Sequence, residues 1–110
     1  MNKYVVLIFI FISFFYGCSN RNKTIERKEF VKILSELYIA EALSAKKDTN
    51  ISIQKDYYKS YQLDIFKKYK VDEKRYQSSF DFYNKDLIDM QKIYDEAINR
   101  LSEAQAKGLL

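Results

Sequence analysis

The sequence predicts an all-α protein: a compact antiparallel bundle of three to four helices, preceded by an N-terminal signal-peptide helix. Three observations carry this expectation. The 110-residue chain has no proline, and its two glycines are Gly17 and Gly108, so nothing between them breaks a helix. Apolar residues beyond the N-terminus recur at three and four residues instead of alternating, which is helical and not strand periodicity. A single cysteine excludes an internal disulfide, so the fold must hold by packing.

The first element runs from Lys3 through the apolar stretch Tyr4–Phe15 to Gly17, the layout of a secretory signal. As a helix, Tyr4–Gly17 would reach about 21 Å, short of the ~30 Å hydrocarbon core of a bilayer. An uncleaved anchor helix is the competing reading, since a short, very apolar helix can thin a bilayer locally. Cys18 follows directly, and FYGC resembles the lipobox of bacterial lipoproteins. That resemblance implies cleavage after Gly17 and a diacylglycerol thioether on Cys18, with the new N-terminus acylated as well. Phe15 stands where Leu is commoner, and Tyr16 is bulkier than the usual small residue. Two or three acyl chains anchor stably where one does not. A free thiol or an intermolecular disulfide is the alternative use of one cysteine.

The expected organisation is therefore a signal peptide at 1–17, a lipidated Cys18 and tether at 18–25, and a bundle at 26–108. Removal of Lys3 with the signal leaves 18 basic against 15 acidic residues, a mild and interspersed excess that does not point to nucleic acid. Arg21 and Lys23 in the tether either favour an anionic headgroup surface or are plainly solvated.

Helix one is expected over Thr24–Lys46, with Thr24 as N-cap and Phe30, Ile33, Leu34 and Leu37 on one face. Asp48, Thr49 and Asn50 make the connection. A second helix over Ser52–Lys70 brings Tyr58, Tyr61, Ile65 and Tyr69 together, with Phe66 on the flank. Asp72 caps a short third helix through Tyr83, in which Tyr76, Phe80 and Tyr83 share a face. Asn84–Asp86 break the chain, or kink one long helix. The last helix, Leu87 to Lys107, carries the seam Leu87, Met90, Tyr94, Ala97, Leu101 and Ala104, and Gly108 ends it. Each stripe is narrow and needs cover from a neighbour, hence a bundle.

Glu41 is the unusual residue. On a helical wheel it lies about 20° from Phe30, inside helix one's apolar stripe. A carboxylate there must be hydrogen-bonded, paired or near the surface, because burial alone costs several kcal/mol. It either accepts a bond from a Tyr or Lys of a neighbouring helix, sits exposed at the bundle end, or is a ligand-facing acid in a cleft beside Ser79 and Tyr83.

The stretches FVKILSELYIAEAL, YQLDIFKKYKVD and YQSSFDFYNKDLIDMQKIYDEAINRL resemble the uncharacterised domain of a family of small Bacteroidetes lipoproteins (domain of unknown function family 4296). The matching motifs are Leu37–Ala42, the pair Lys68 and Tyr69, and Ser-Phe-x-x-Tyr at Ser79–Tyr83; Glu36 stands where that family tends to have Asp. The resemblance covers roughly Phe30 to Leu101 and implies location and fold class but no activity.

Nothing in the sequence builds a catalytic or metal site. There is no histidine, the acidic residues show no EF-hand spacing, and no group orients Ser79 toward a lysine. The expectation is a non-enzymatic envelope lipoprotein with no cofactor beyond the lipid on Cys18. It would be membrane-bound through that lipid and act as an interaction module toward another envelope protein, in an oligomeric state the sequence does not set. The alternative is a small ligand-binding lipoprotein with a Tyr-lined cleft around Glu41. Ser19, where Asp would signal inner-membrane retention, directs the expectation to the outer membrane. The lack of an acidic run after Cys18 favours its periplasmic face.

Overall fold

In the computed structural model, residues 23–108 are described; the expected signal helix, Cys18 and most of the tether lie outside them. Four helices follow in order among the described residues: α1 (Arg27–Lys47), α2 (Ile51–Tyr69), α3 (Glu73–Asn84) and α4 (Leu87–Ala106). None is long and apolar enough to cross a membrane.

α1 is the central element. Its expected stripe is buried, with Phe30 and Ile33 fully enclosed and Leu34 and Leu37 nearly so, and Val31 and Ala40 widen the buried arc. That breadth lets α1 pack against α2 on one side and α4 on the other. The α1–α2 pair is an antiparallel hairpin, tied by Lys68 Nζ to Glu36 Oε1 at 2.6 Å and, nearer the turn, by Lys47 stacked over the Tyr57 ring. α4 sets out from the end where α1 begins: Arg27, in the first turn of α1, pairs with Asp89 in the first turn of α4 at 3.2 Å and with Glu96 at 3.0 Å. The α3 aromatics gather on Phe30, whose ring lies 5.7 Å from Tyr76, 6.4 Å from Phe80 and 4.9 Å from Tyr83.

Helix ends follow local chemistry. Asp72 caps α3 by accepting from the Arg75 amide at 2.6 Å, as its position after Val71 predicts. Asp86 caps α4 through the Ile88 and Asp89 amides; the break is there as expected, but it is Lys85 and Asp86 that separate two helices, with Asn84 the last residue of α3. α2 is capped by Asn50, two residues before the expected start, its side chain accepting from the Ser52 amide at 2.9 Å. Its C-terminus closes on Lys70 in the left-handed conformation (φ 54°), with the Val71 amide returning to the Phe66 carbonyl and Val71 buried beneath.

Three expectations are corrected. Thr24 does not cap helix one, which starts at Arg27; residues 24–26 lie outside the helix, and Ile25, expected in the tether, is fully buried. The α2 stripe has its centre on the expected flank: Phe66 is the buried residue of α2, while Tyr58, Tyr61, Ile65 and Tyr69 are half-buried. The α4 seam is rotated, running through Met90, Ile93, Ala97 and Ala104, with Leu87 74% exposed. Ile93 lies about 60° behind Met90 and Leu87 about 60° ahead, and α1 meets the former side.

Candidate functional site

Two of the sequence-predicted residues come together. Ser79 and Tyr83 are four apart in α3 and therefore share a face, and both address the backbone of Ile25. Ser79 Oγ accepts from the Ile25 amide at 2.8 Å, and the Tyr83 hydroxyl donates to the Ile25 carbonyl. One turn earlier, Arg75 Nε donates to the Lys23 carbonyl at 2.7 Å. The non-helical segment 23–25 is thus held along α3 by side chains that bond its backbone groups. Ser79 is fully buried and so is Ile25, so both backbone groups of Ile25 would be orphaned without these partners. Burial first, and then the Asp89 charge, push the Tyr83 hydroxyl above its ordinary pKa, so it stays a donor.

Glu41 is not part of this cluster. It is exposed, and it lies roughly 24 Å along the chain axis from Ile25. The two residues share an azimuth but not a level: Phe30 is roofed by the α3 aromatics, and Glu41 lies eleven residues further, beyond that short helix. The expected cleft joining Glu41 to Ser79 and Tyr83 therefore does not form. Glu41 instead edges an open groove of about 400 Å³ between the end of α1 and the start of α2, with Ser44, Ile51, Gln54, Lys55 and Tyr58 around it.

Between these two regions each helix contributes one tyrosine to a cluster: Tyr38, Tyr58, Tyr76 and Tyr94. Tyr76 is the deepest; burial first, then the proximity of Tyr58, Tyr38 and Tyr94, raise its pKa strongly. Burial also leads the upward shifts of Tyr38 and Tyr58, with the Glu41 charge contributing to both. Close by, Glu36 gives one oxygen to Lys68 while its Oε2 is buried with no hydrogen-bond partner. Burial and the adjacent Glu36 carboxylate push Tyr69 up to about 12. Tyr38, Tyr58, Tyr69 and Tyr76 are therefore neutral phenols at physiological pH.

A further opening of about 910 Å³ lies where α2 passes into α3. Lys23, Lys67, Lys70 and Arg75 line it together with Glu26, Glu29, Asp72 and Glu73, a balanced set that selects neither anion nor cation. Sequence reasoning missed Ile25, although an isolated isoleucine in the polar run SNRNKTIERK is a visible signal. It also missed how many large apolar residues stay outside: Ile51, Leu63, Phe82, Leu87 and Ile88 are all more than half exposed.

The motifs that suggested a family have definite places in this geometry: Ser79 and Tyr83 clamp Ile25, and Lys68 and Tyr69 surround Glu36. Neither curated proteins nor solved structures gave a match to the chain. The family model described as "Domain of unknown function (DUF4296)" matches residues 22–107, which starts just before the clamped segment and ends with α4, and the chain belongs to that family.

Proposed function

We propose that the protein is a lipid-anchored, non-catalytic helical interaction module of the cell envelope, acylated on Cys18, carried on the periplasmic face of the outer membrane and docking onto another envelope protein. The observation that carries this reading is the division of labour among its side chains. The polar residues that looked available for chemistry, Ser79 and Tyr83, are spent on the protein's own backbone, while Ile51 and Tyr57 at the turn end of the α1–α2 hairpin are 67% and 42% exposed. Exposed apolar residues framed by Lys55 and Glu41 are the composition of a docking face.

The anchor is tested by the mass of the N-terminal peptide from membrane fractions, comparing the native chain with Cys18→Ala. A diacylated or triacylated Cys18, with the variant left uncleaved, is the expected result. An unmodified Cys18 on a full-length chain would refute it. Protease shaving of intact cells tests the leaflet, and loss of the domain would contradict the periplasmic face.

A second reading, a ligand-binding lipoprotein, is favoured by one observation: Glu41 is accessible and its charge acts on Tyr38 and Tyr58. A Glu41→Gln variant that lost binding of a cationic ligand while keeping envelope crosslinks would select it.

A further inference from the structure

We propose that the α3–α4 corner is a second membrane contact, a lipid-facing tip that orients the domain on the surface to which Cys18 is anchored. This rests on the lipid-anchor reading above. Within seven residues the corner presents Phe82, Leu87 and Ile88, which are 54%, 74% and 74% exposed. All three lie within one turn of the break between α3 and α4, which crowds exposed apolar side chains at one corner of the surface.

The position of the corner selects lipid as its occupant. Tyr83 holds Ile25, and Asp89 holds Arg27, so the corner lies at the end of the molecule from which the chain leaves toward Cys18. Six residues lie between Cys18 and Ile25, and the seven Cα steps of that stretch span at most about 25 Å when fully extended. α3 is about 18 Å long, so its whole length, corner included, falls inside the reach of the anchor. Ile51 belongs to the opposite end, about 31 Å away along α1.

Three carboxylates flank the tip in sequence, and each accepts a hydrogen bond within the protein: Asp81 from the Gln77 side-chain amide, Asp86 from the amides of α4, and Asp89 from Arg27. Lys85, exposed between Phe82 and Leu87, adds a cation at the height of the headgroups. Insertion of a shallow apolar tip flanked by a lysine is the interfacial mode of membrane binding, added here to a covalent lipid as a second signal.

The test uses the mature lipoprotein, purified from membranes and reconstituted in vesicles of phosphatidylethanolamine and phosphatidylglycerol. An environment-sensitive fluorophore is placed by Ile88→Cys and, in a separate protein, by Ile51→Cys; an acylated Cys18 does not react with the label. Both positions are exposed, and circular dichroism of the labelled proteins checks that the helices are kept. The expected result is a blue shift at position 88 with loss of most of its emission to doxyl-labelled lipids, and neither at position 51. Unshifted, unquenched emission at 88 overturns the proposal. So does a blue shift without lipid quenching, which would mean that a second copy or another protein covers the corner. The mass of the N-terminal peptide is read on the same preparation. An unquenched corner on an acylated chain therefore sinks the tip alone, and an unacylated Cys18 sinks the anchor.

Discussion

The two ends of α1 differ in nearly everything except sequence character. At its start, Phe30 sits under three α3 aromatics, Ile25 is clamped through both backbone groups, and Arg27 reaches across to α4. At its other end only Ala40 and Ser44 are buried, Glu41 faces solvent, and the first turn of α2 leaves Ile51 exposed. Both ends carry apolar residues at helical spacing. What separates them is whether a third element lies over the helix, and α3, at 12 residues, covers only one end. The stability of this domain is therefore expected to be concentrated at the end from which the tether leaves, with the far end free to be used for contact.

The largest effect that tests this asymmetry is at Phe30. Phe30→Ala removes the ring on which Tyr76, Phe80 and Tyr83 converge, and a buried Phe→Ala change costs about 3–5 kcal/mol. Urea unfolding followed by circular dichroism measures it. A loss below about 1 kcal/mol would mean that α3 is not the cover described here.

Next in size is the clamp. Tyr83→Phe leaves the Ile25 carbonyl buried without a donor, and Ser79→Ala leaves its amide without an acceptor; each is expected to cost about 1–3 kcal/mol. The two substitutions are expected to be non-additive, since either one releases the same residue, and a double-mutant cycle reads the coupling. Additive losses would show that the bonds act separately and that segment 23–25 is not a single latch.

A pH experiment sharpens the comparison further, because the phenols with strongly raised pKa values lie in the covered half. Tyr76 and Tyr69 hold their protons more tightly folded than unfolded, where tyrosine titrates near 10; Tyr69 is pushed up to about 12. A raised folded pKa gives stability that is fully present below pH ~10 and is lost as pH rises through the folded value. The urea midpoint is thus expected to fall steeply above pH ~10, and Tyr76→Phe is expected to flatten that fall. A midpoint independent of pH up to about 12 would contradict the burial of these hydroxyls.

The asymmetry was only half visible in the sequence, for a geometric reason. Periodicity reports azimuth around a helix, and on that scale Phe30, Ile33, Leu34 and Leu37 were placed correctly, as was the Asp72 cap. It does not report height along the axis, so Phe30 and Glu41 looked equivalent although only one has a roof. Ser79 and Tyr83 stood out as an i, i+4 pair, but their partner is Ile25, more than fifty residues away and reached through its backbone, which carries no side-chain signature. A heptad drawn through α4 admitted Leu87 and passed over Ile93, because neighbouring registers on an apolar helix differ by a small rotation that only the partner helix decides.

The smallest expected effect, at Glu41, is the most discriminating. An exposed residue at an uncovered end should tolerate change, so Glu41→Ala is expected to stay within about 0.5 kcal/mol of the native chain in urea unfolding. It removes a charge that faces Tyr58 across the groove and adds a small apolar surface beside Ile51. With folding unaffected, any change this substitution causes in envelope crosslinking is a change in recognition. Had Glu41 been buried and paired in the stripe, the same substitution would have cost several times more. A loss above about 1 kcal/mol would mean that the far end is closed by contacts like those at the base, and a closed far end would leave Ile51 and Tyr57 without the docking role proposed for them.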